Sequence, residues 1–98
     1  MIIHQREYSY RVNYSELFEA LVKAKEHVEK KYPKITVELM YNLAGERGHA
    51  TIQTRYASLA AYERIDAELD KDEEYSNLVK SIISATGDLP VDQFYRVI

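Results

Sequence analysis

Histidine, arginine and tyrosine alternate near the start of the chain: His4, Arg6, Tyr8 and Tyr10 stand two residues apart. A period of two puts all four side chains on one face of a strand. A histidine and an arginine among phenols suit an anionic or phenolic ligand, with the imidazole near its switching pH. The plainer reading leaves His4 at the open end of a sheet with its ring in water. Tyr41, Tyr56 and Tyr95 fall on the apolar parity of other predicted strands, and Tyr62 on a helical stripe. A buried tyrosine hydroxyl needs a hydrogen-bond partner. The pocket candidates are therefore His4, Arg6, Tyr8, Tyr10, Tyr41, Tyr56 and Tyr95. Either a ligand or water satisfies them in a polar-lined cavity, or their hydroxyls reach the edge of the core.

Little else in the sequence points to chemistry. There is no cysteine among the 98 residues, so a disulfide scaffold, a thiolate metal site and a cysteine nucleophile are excluded. His27 and His49 lie far from His4 without zinc-ligand spacing, and no metal or cofactor is expected. His27 is expected on the surface of a helix, and His49 in water after a turn. The serines have no elbow motif to make one a nucleophile. Gly45-Glu46-Arg47-Gly48 joins two strands and precedes no helix, which makes it a turn rather than a phosphate loop. Lys30-Lys31-Tyr32-Pro33-Lys34 is basic, but at a helix C-terminus such a run matches the helix dipole. The net charge of −3 speaks against a sequence-independent grip on nucleic acid. No apolar run is long enough for a membrane span, and the first residues lack a signal-peptide layout, so the expected location is cytoplasmic.

Six or seven elements must position these side chains. Residues 2–12 alternate as a strand. Asn13 and Glu16 form a capping box for a helix whose apolar stripe includes Tyr14, Leu17, Leu21 and Val28, stopped by Pro33. Residues 35–43 and 49–56 alternate around a glycine turn and read as a hairpin. Ser58 caps a second helix with the stripe Leu59, Tyr62, Ile65, Leu69. Asp70-Lys71-Asp72 interrupts it, and a further helical stripe runs from Tyr75 to Ile83, with Gly87 placed as a C-terminal cap. Residues 91–98 are the last strand. The order β-α-β-β-α(α)-β with right-handed crossovers predicts one ferredoxin-like α+β domain over residues 1–98. Its four-stranded antiparallel sheet has order 4-1-3-2, with helices on one face.

The apolar parities, including Val91, Tyr95 and Val97 of the last strand, are expected under the helices. The other face then carries Glu7, Arg55, Phe94 and Arg96, mixed with Gln5, Met40 and Ile98. A mixed face with interleaved Glu and Arg suits either solvent or a second copy of the same sheet. A homodimer through Glu7, Arg55, Phe94 and Arg96 is the expectation.

Tyr56-Ala57-Ser58-Leu59-Ala60-Ala61-Tyr62-Glu63, followed by Asp72-Glu73-Glu74-Tyr75, resembles the passage from third strand to second helix in the dimeric α+β barrel superfamily. It is most similar to its NIPSNAP-like and antibiotic-biosynthesis-monooxygenase-like branches. Tyr10-Arg11-Val12, leading into an acidic-start helix, resembles the first strand of the same proteins. The resemblance implies a homodimer with sheets packed face to face and any small-molecule pocket between sheet and helices of each protomer. Haem-degrading relatives depend on an Asn, Trp and His set, and this chain has no tryptophan. Two functions follow as expectations. One is a small-ligand-binding homodimer. The other is a cofactor-independent monooxygenase or isomerase acting on a phenolic or polyketide-like aromatic, with His4, Arg6 and tyrosines orienting it.

Overall fold

In the structure, a computed structural model, residues 1–10, 14–41, 48–87 and 89–98 are described. Alternation in the sequence becomes four strands: β1 (Ile2–Ser9), β2 (Thr36–Tyr41), β3 (His49–Tyr56) and β4 (Val91–Arg96). Helical periodicity becomes α1 (Tyr14–Lys31), α2 (Leu59–Asp70) and α3 (Glu73–Ala85). The sheet is antiparallel in the order β2-β3-β1-β4, which is the expected order read from the other edge. The helices lie on one face, giving the ferredoxin-like α+β architecture.

Local chemistry sets the element ends. Ser58 Oγ accepts the amide of Ala61 at 3.1 Å to start α2. Asp72 Oδ1 accepts the amide of Tyr75 at 3.1 Å to start α3. The Asn13 capping box, like most of the hairpin turn, lies outside the described residues. Gly48 has φ +90°, which the turn reading requires. Gly87 is not the left-handed cap expected of it. Its amide donates to Ser9 O at 2.8 Å, and a Cβ there would come 3.1 Å from Tyr10 O. Its role is a close approach to the end of β1.

Leu17 and Leu21 of α1 are fully buried, and Ala20 and Ala24 beside them let α3 approach with Ile82 and Ala85. Burying each leucine contributes roughly 1.5–3 kcal/mol. Ile2, Val28, Val37, Tyr56, Ile65 and Leu69 form a second cluster at the other end of the sheet. Between the two clusters run the side chains of His4 and Arg6, on the helix-facing parity as expected.

The last strand departs from expectation. Antiparallel partners directly opposite each other share a face. The register pairs His4 with Phe94, Arg6 with Asp92 and Ile2 with Arg96. Asp92, Phe94 and Arg96 therefore lie on the helix side, while Val91, Gln93 and Tyr95 lie on the open face with Glu7, Gln5 and Ile3. The hydrophobic pattern misleads here because every residue of β4 is exposed. Of the helices α2 reaches it through Tyr62 against Phe94, and Phe94 stays exposed, so burial does not choose between its faces. The register follows instead from Arg6, whose half-exposed guanidinium pairs with Asp92. Phe94 and Arg96 are consequently removed from the open-face set, and Tyr95 from the pocket set. Glu7 and Arg55 are on the open face, paired with His49 at 3.4 Å and Glu38 at 3.6 Å.

Candidate functional site

β1 is a central strand, and its helix-facing side chains reach the gap between the sheet and α1, α2 and α3. There a cavity of about 80 Å³ is lined by His4, Arg6, Tyr8, Thr54, Tyr56, Tyr62, Asp66 and Tyr75, with Leu21, Val28 and Ile52 among its apolar walls. Of the seven pocket candidates, the structure brings together His4, Arg6, Tyr8 and Tyr56. Tyr10 is partly exposed at the outer end of β1 and packs edge-on to Tyr14 at 5.9 Å. Tyr41 is exposed at the sheet edge, also edge-on to Tyr14. Tyr95, on the open face, donates its hydroxyl to Gln93 at 2.6 Å.

The chemistry centres on one carboxylate. Arg6 donates from Nε to Asp92 Oδ1 at 2.5 Å and from Nη2 to Oδ2 at 3.0 Å. His4 Nε2 lies 2.8 Å from the same Oδ1. A carboxylate can only accept, so the Nε2–H tautomer donates to it and Nδ1 is left as the ring's acceptor when neutral. The His4 ring is only 14 % exposed, which sets aside the reading of a wetted ring. Hydrogen bonds from Arg6 hold the Asp92 carboxyl below the usual carboxylate range, with burial opposing and His4 assisting. The same bond raises Arg6 further above its ordinary value. An aromatic cluster frames the pair. Phe94 stacks on His4 with centroids 4.4 Å apart and planes 8° from parallel, and Tyr62 meets both rings near edge-on. Burial pushes the phenols of Tyr8, Tyr56, Tyr62 and Tyr75 up. They stay protonated at neutral pH and line the cavity as neutral phenols.

Sequence reasoning missed Asp92, Phe94, Tyr75 and Asp66. The signal for Asp92 was its charge: the wrong parity left Arg6 without an acid. Tyr62, Asp66 and Leu69 share one helical face at spacings of four and three, which the stripe already implied.

His27 also departs from expectation. Rather than lying on the surface it is 14 % exposed, with Nε2 at 2.7 Å from Asp72 Oδ2, and Lys31 Nζ donates to the same oxygen at 2.9 Å. Together they clamp α1 to the α2–α3 elbow. Hydrogen bonding by His27, then by Lys31 and the Tyr75 amide, pulls the Asp72 carboxyl well below its usual range. His49 is likewise partly covered. Among the described residues no group of three or more His, Asp or Glu side chains is placed to hold a metal ion. Among the same residues no helix is long and apolar enough to cross a membrane.

No family model matches the sequence, and no curated protein does. Solved structures do. A NIPSNAP domain protein from Burkholderia xenovorans superposes with a TM-score of 0.83 at 11% identity, covering 100% of this chain and 95% of that one. A Caulobacter crescentus CB15 protein, provisionally named an antibiotic biosynthesis monooxygenase, gives 0.81 at 13% identity over 99% and 89%. A variant of SnoaB, a cofactor-independent oxygenase from Streptomyces nogalater, gives 0.76 at 6% identity over 98% and 91%. At such identities the likeness is one of fold. The chain shares its ferredoxin-like α+β fold with NIPSNAP-domain proteins and with proteins named for antibiotic-biosynthesis monooxygenases.

Proposed function

We propose that the protein is a small-ligand-binding homodimer whose ligand sits between sheet and helices against His4. The observation that carries this is the pair His4 and Arg6, both hydrogen-bonded to Asp92, on the wall of a cavity lined by protonated tyrosines. Asp92 already neutralises Arg6, so the site favours an uncharged hydrogen-bonding molecule over an anion. Its volume of about 80 Å³ is roughly half that of an engineered cavity that takes up benzene. The enclosed space is therefore too small for a whole ring, and the ligand that suits it is a simple phenol or quinone whose oxygen enters toward His4 while its ring stays at the opening. A multi-ring polyketide does not fit that space, so a monooxygenase or isomerase acting on such a substrate is the less supported reading.

The homodimer is proposed through the open sheet face. Glu7 and Arg55 contribute there, joined by Tyr95, Val91 and Met40, all three exposed. Gln53 donates to Gln5 at 3.2 Å across the middle of the same face. A twin sheet covers these apolar groups while leaving the ion pairs at the rim.

The test is an NMR titration with phenol and with 1,4-hydroquinone. Saturable shifts at His4, Tyr62 and Asp92 that vanish in His4→Leu support the reading. Shifts that are absent, or that survive His4→Leu unchanged, refute it.

A further inference from the structure

A second concavity lies between the C-terminal end of α1, the end of β3 and the first turns of α2, and its electrostatics differ from those of the chain as a whole. The protein carries a net −3, yet this groove of about 410 Å³ is lined by four cations, Lys31, Lys34, Arg55 and Arg64, and by no acidic residue among those described. Its floor is apolar, built from Tyr32, Ile35, Tyr56 and Ile65. A groove of this size is in the range of sites that take small organic ligands.

The cations are not fully spent within the chain. Arg64 Nη1 stands 3.8 Å from Glu68 and Arg55 Nε 3.6 Å from Glu38, both too long for a hydrogen bond. Lys31 is held at 2.9 Å by Asp72. Lys34 stands exposed beside Pro33. The backbone adds to the same sign. Ala57 and Ala61 place the start of α2 in the groove, and that first turn contains no acidic side chain to offset its positive dipole end. The carbonyl end of α1 is offset by Lys30 and Lys31. Tyr32 closes one side by donating its hydroxyl to Glu68 at 2.6 Å.

We infer that this groove binds a small amphiphilic acid, a single carboxylate on an apolar body. The carboxylate is met by Arg64 and Lys34 and the body by Ile35 and Ile65. This site shares the Tyr56 wall with the His4 cavity but none of that cavity's other polar groups, and does not depend on it.

The experiment is calorimetric titration with sodium decanoate, below its aggregation threshold. 1-Decanol and sodium butyrate serve as comparisons that lack the charge and the tail. The expected result is saturable decanoate binding with at least roughly tenfold weaker binding of either comparison. Arg64→Gln and Lys34→Gln, both at exposed positions, should each weaken decanoate by roughly tenfold without lowering the melting temperature. His4→Leu should leave it unchanged. Equal binding by the wild type and the Arg64→Gln, Lys34→Gln double variant overturns the inference. So does binding that follows His4→Leu instead, or engagement of phosphatidylglycerol vesicles with no binding of monomeric decanoate, which marks a lipid surface.

Discussion

Replacing Asp92 with asparagine keeps the side chain's shape and removes its charge. Two hydrogen bonds from Arg6 and one from His4 end on that carboxylate. Its worth lies between two limits. Breaking a buried ion pair costs about 3–5 kcal/mol, whereas an exposed pair contributes about 0.2–1 kcal/mol. The Arg6 and Asp92 side chains are 37 % and 38 % exposed, and the pairing is bidentate. Solvent screening therefore brings the value to about 1–2 kcal/mol. For a domain of this size that lowers the melting temperature by roughly 5–15 °C. Thermal denaturation by circular dichroism at several pH values reads it out. The folded-state pKa of Asp92 is depressed, below an unfolded value of about 3.9. Its contribution is then full above that unfolded value and is lost as pH falls through the folded one. The gap between wild type and Asp92→Asn should be constant from about pH 5 to 7 and close below about pH 4. An unchanged melt at neutral pH refutes the pairing and the β4 register with it. A gap that persists in acid shows that packing, not charge, is its source.

The inverted β4 parity makes Tyr95→Asp and Phe94→Asp opposite in effect. By light scattering the first should abolish the proposed open-face dimer and the second should leave it intact, and a monomeric wild type would refute that dimer. Monomers from Phe94→Asp alone would place the interface on the helix side of β4. At the α2–α3 elbow, Asp72→Asn should lower the neutral-pH melting temperature and Asp72→Ala should lower it further, because only asparagine keeps the cap on Tyr75. The depressed Asp72 pKa means that the asparagine gap closes as pH falls below about 4, and equal melts for the two variants would show that the cap contributes nothing.

The sheet and helices were legible in the sequence wherever burial selects one face. Ile35, Val37 and Leu39 announce the inner parity of β2 because α1 lies over it. Ser58 marks a real helix start because a cap is a local bond, only three residues in reach, and Asp72, read in the sequence only as part of a helix break, caps α3 in the same way. What could not be read locally depends on distant partners. His27 meets Asp72 across 45 positions, and nothing near either residue signals the clamp. In β4, Val91 and Tyr95 imitate an inner face, since β-branched and aromatic residues suit a strand whether or not anything covers it. The candidate site was thus half visible. His4, Arg6, Tyr8 and Tyr56 follow from covered strands, while Asp92 and Phe94 stand on the one strand where hydrophobicity carries no directional information.

The uncovered edge strand also sets how the site opens. Asp92 closes onto Arg6 across 86 positions of chain, and within one protomer all six residues of β4 are exposed, so outside the proposed dimer few buried contacts oppose its detachment. Such a segment belongs to the low-stability end of the spectrum seen in amide hydrogen exchange. When β4 frays from β1, the acid that fixes the histidine tautomer and the ring stacked on His4 leave together. The hydrophobic clusters under the helices stay intact. β4 thereby links access to the cavity with the hydrogen bonding of His4, and faster amide exchange in β4 than in β3 is the expected sign of it.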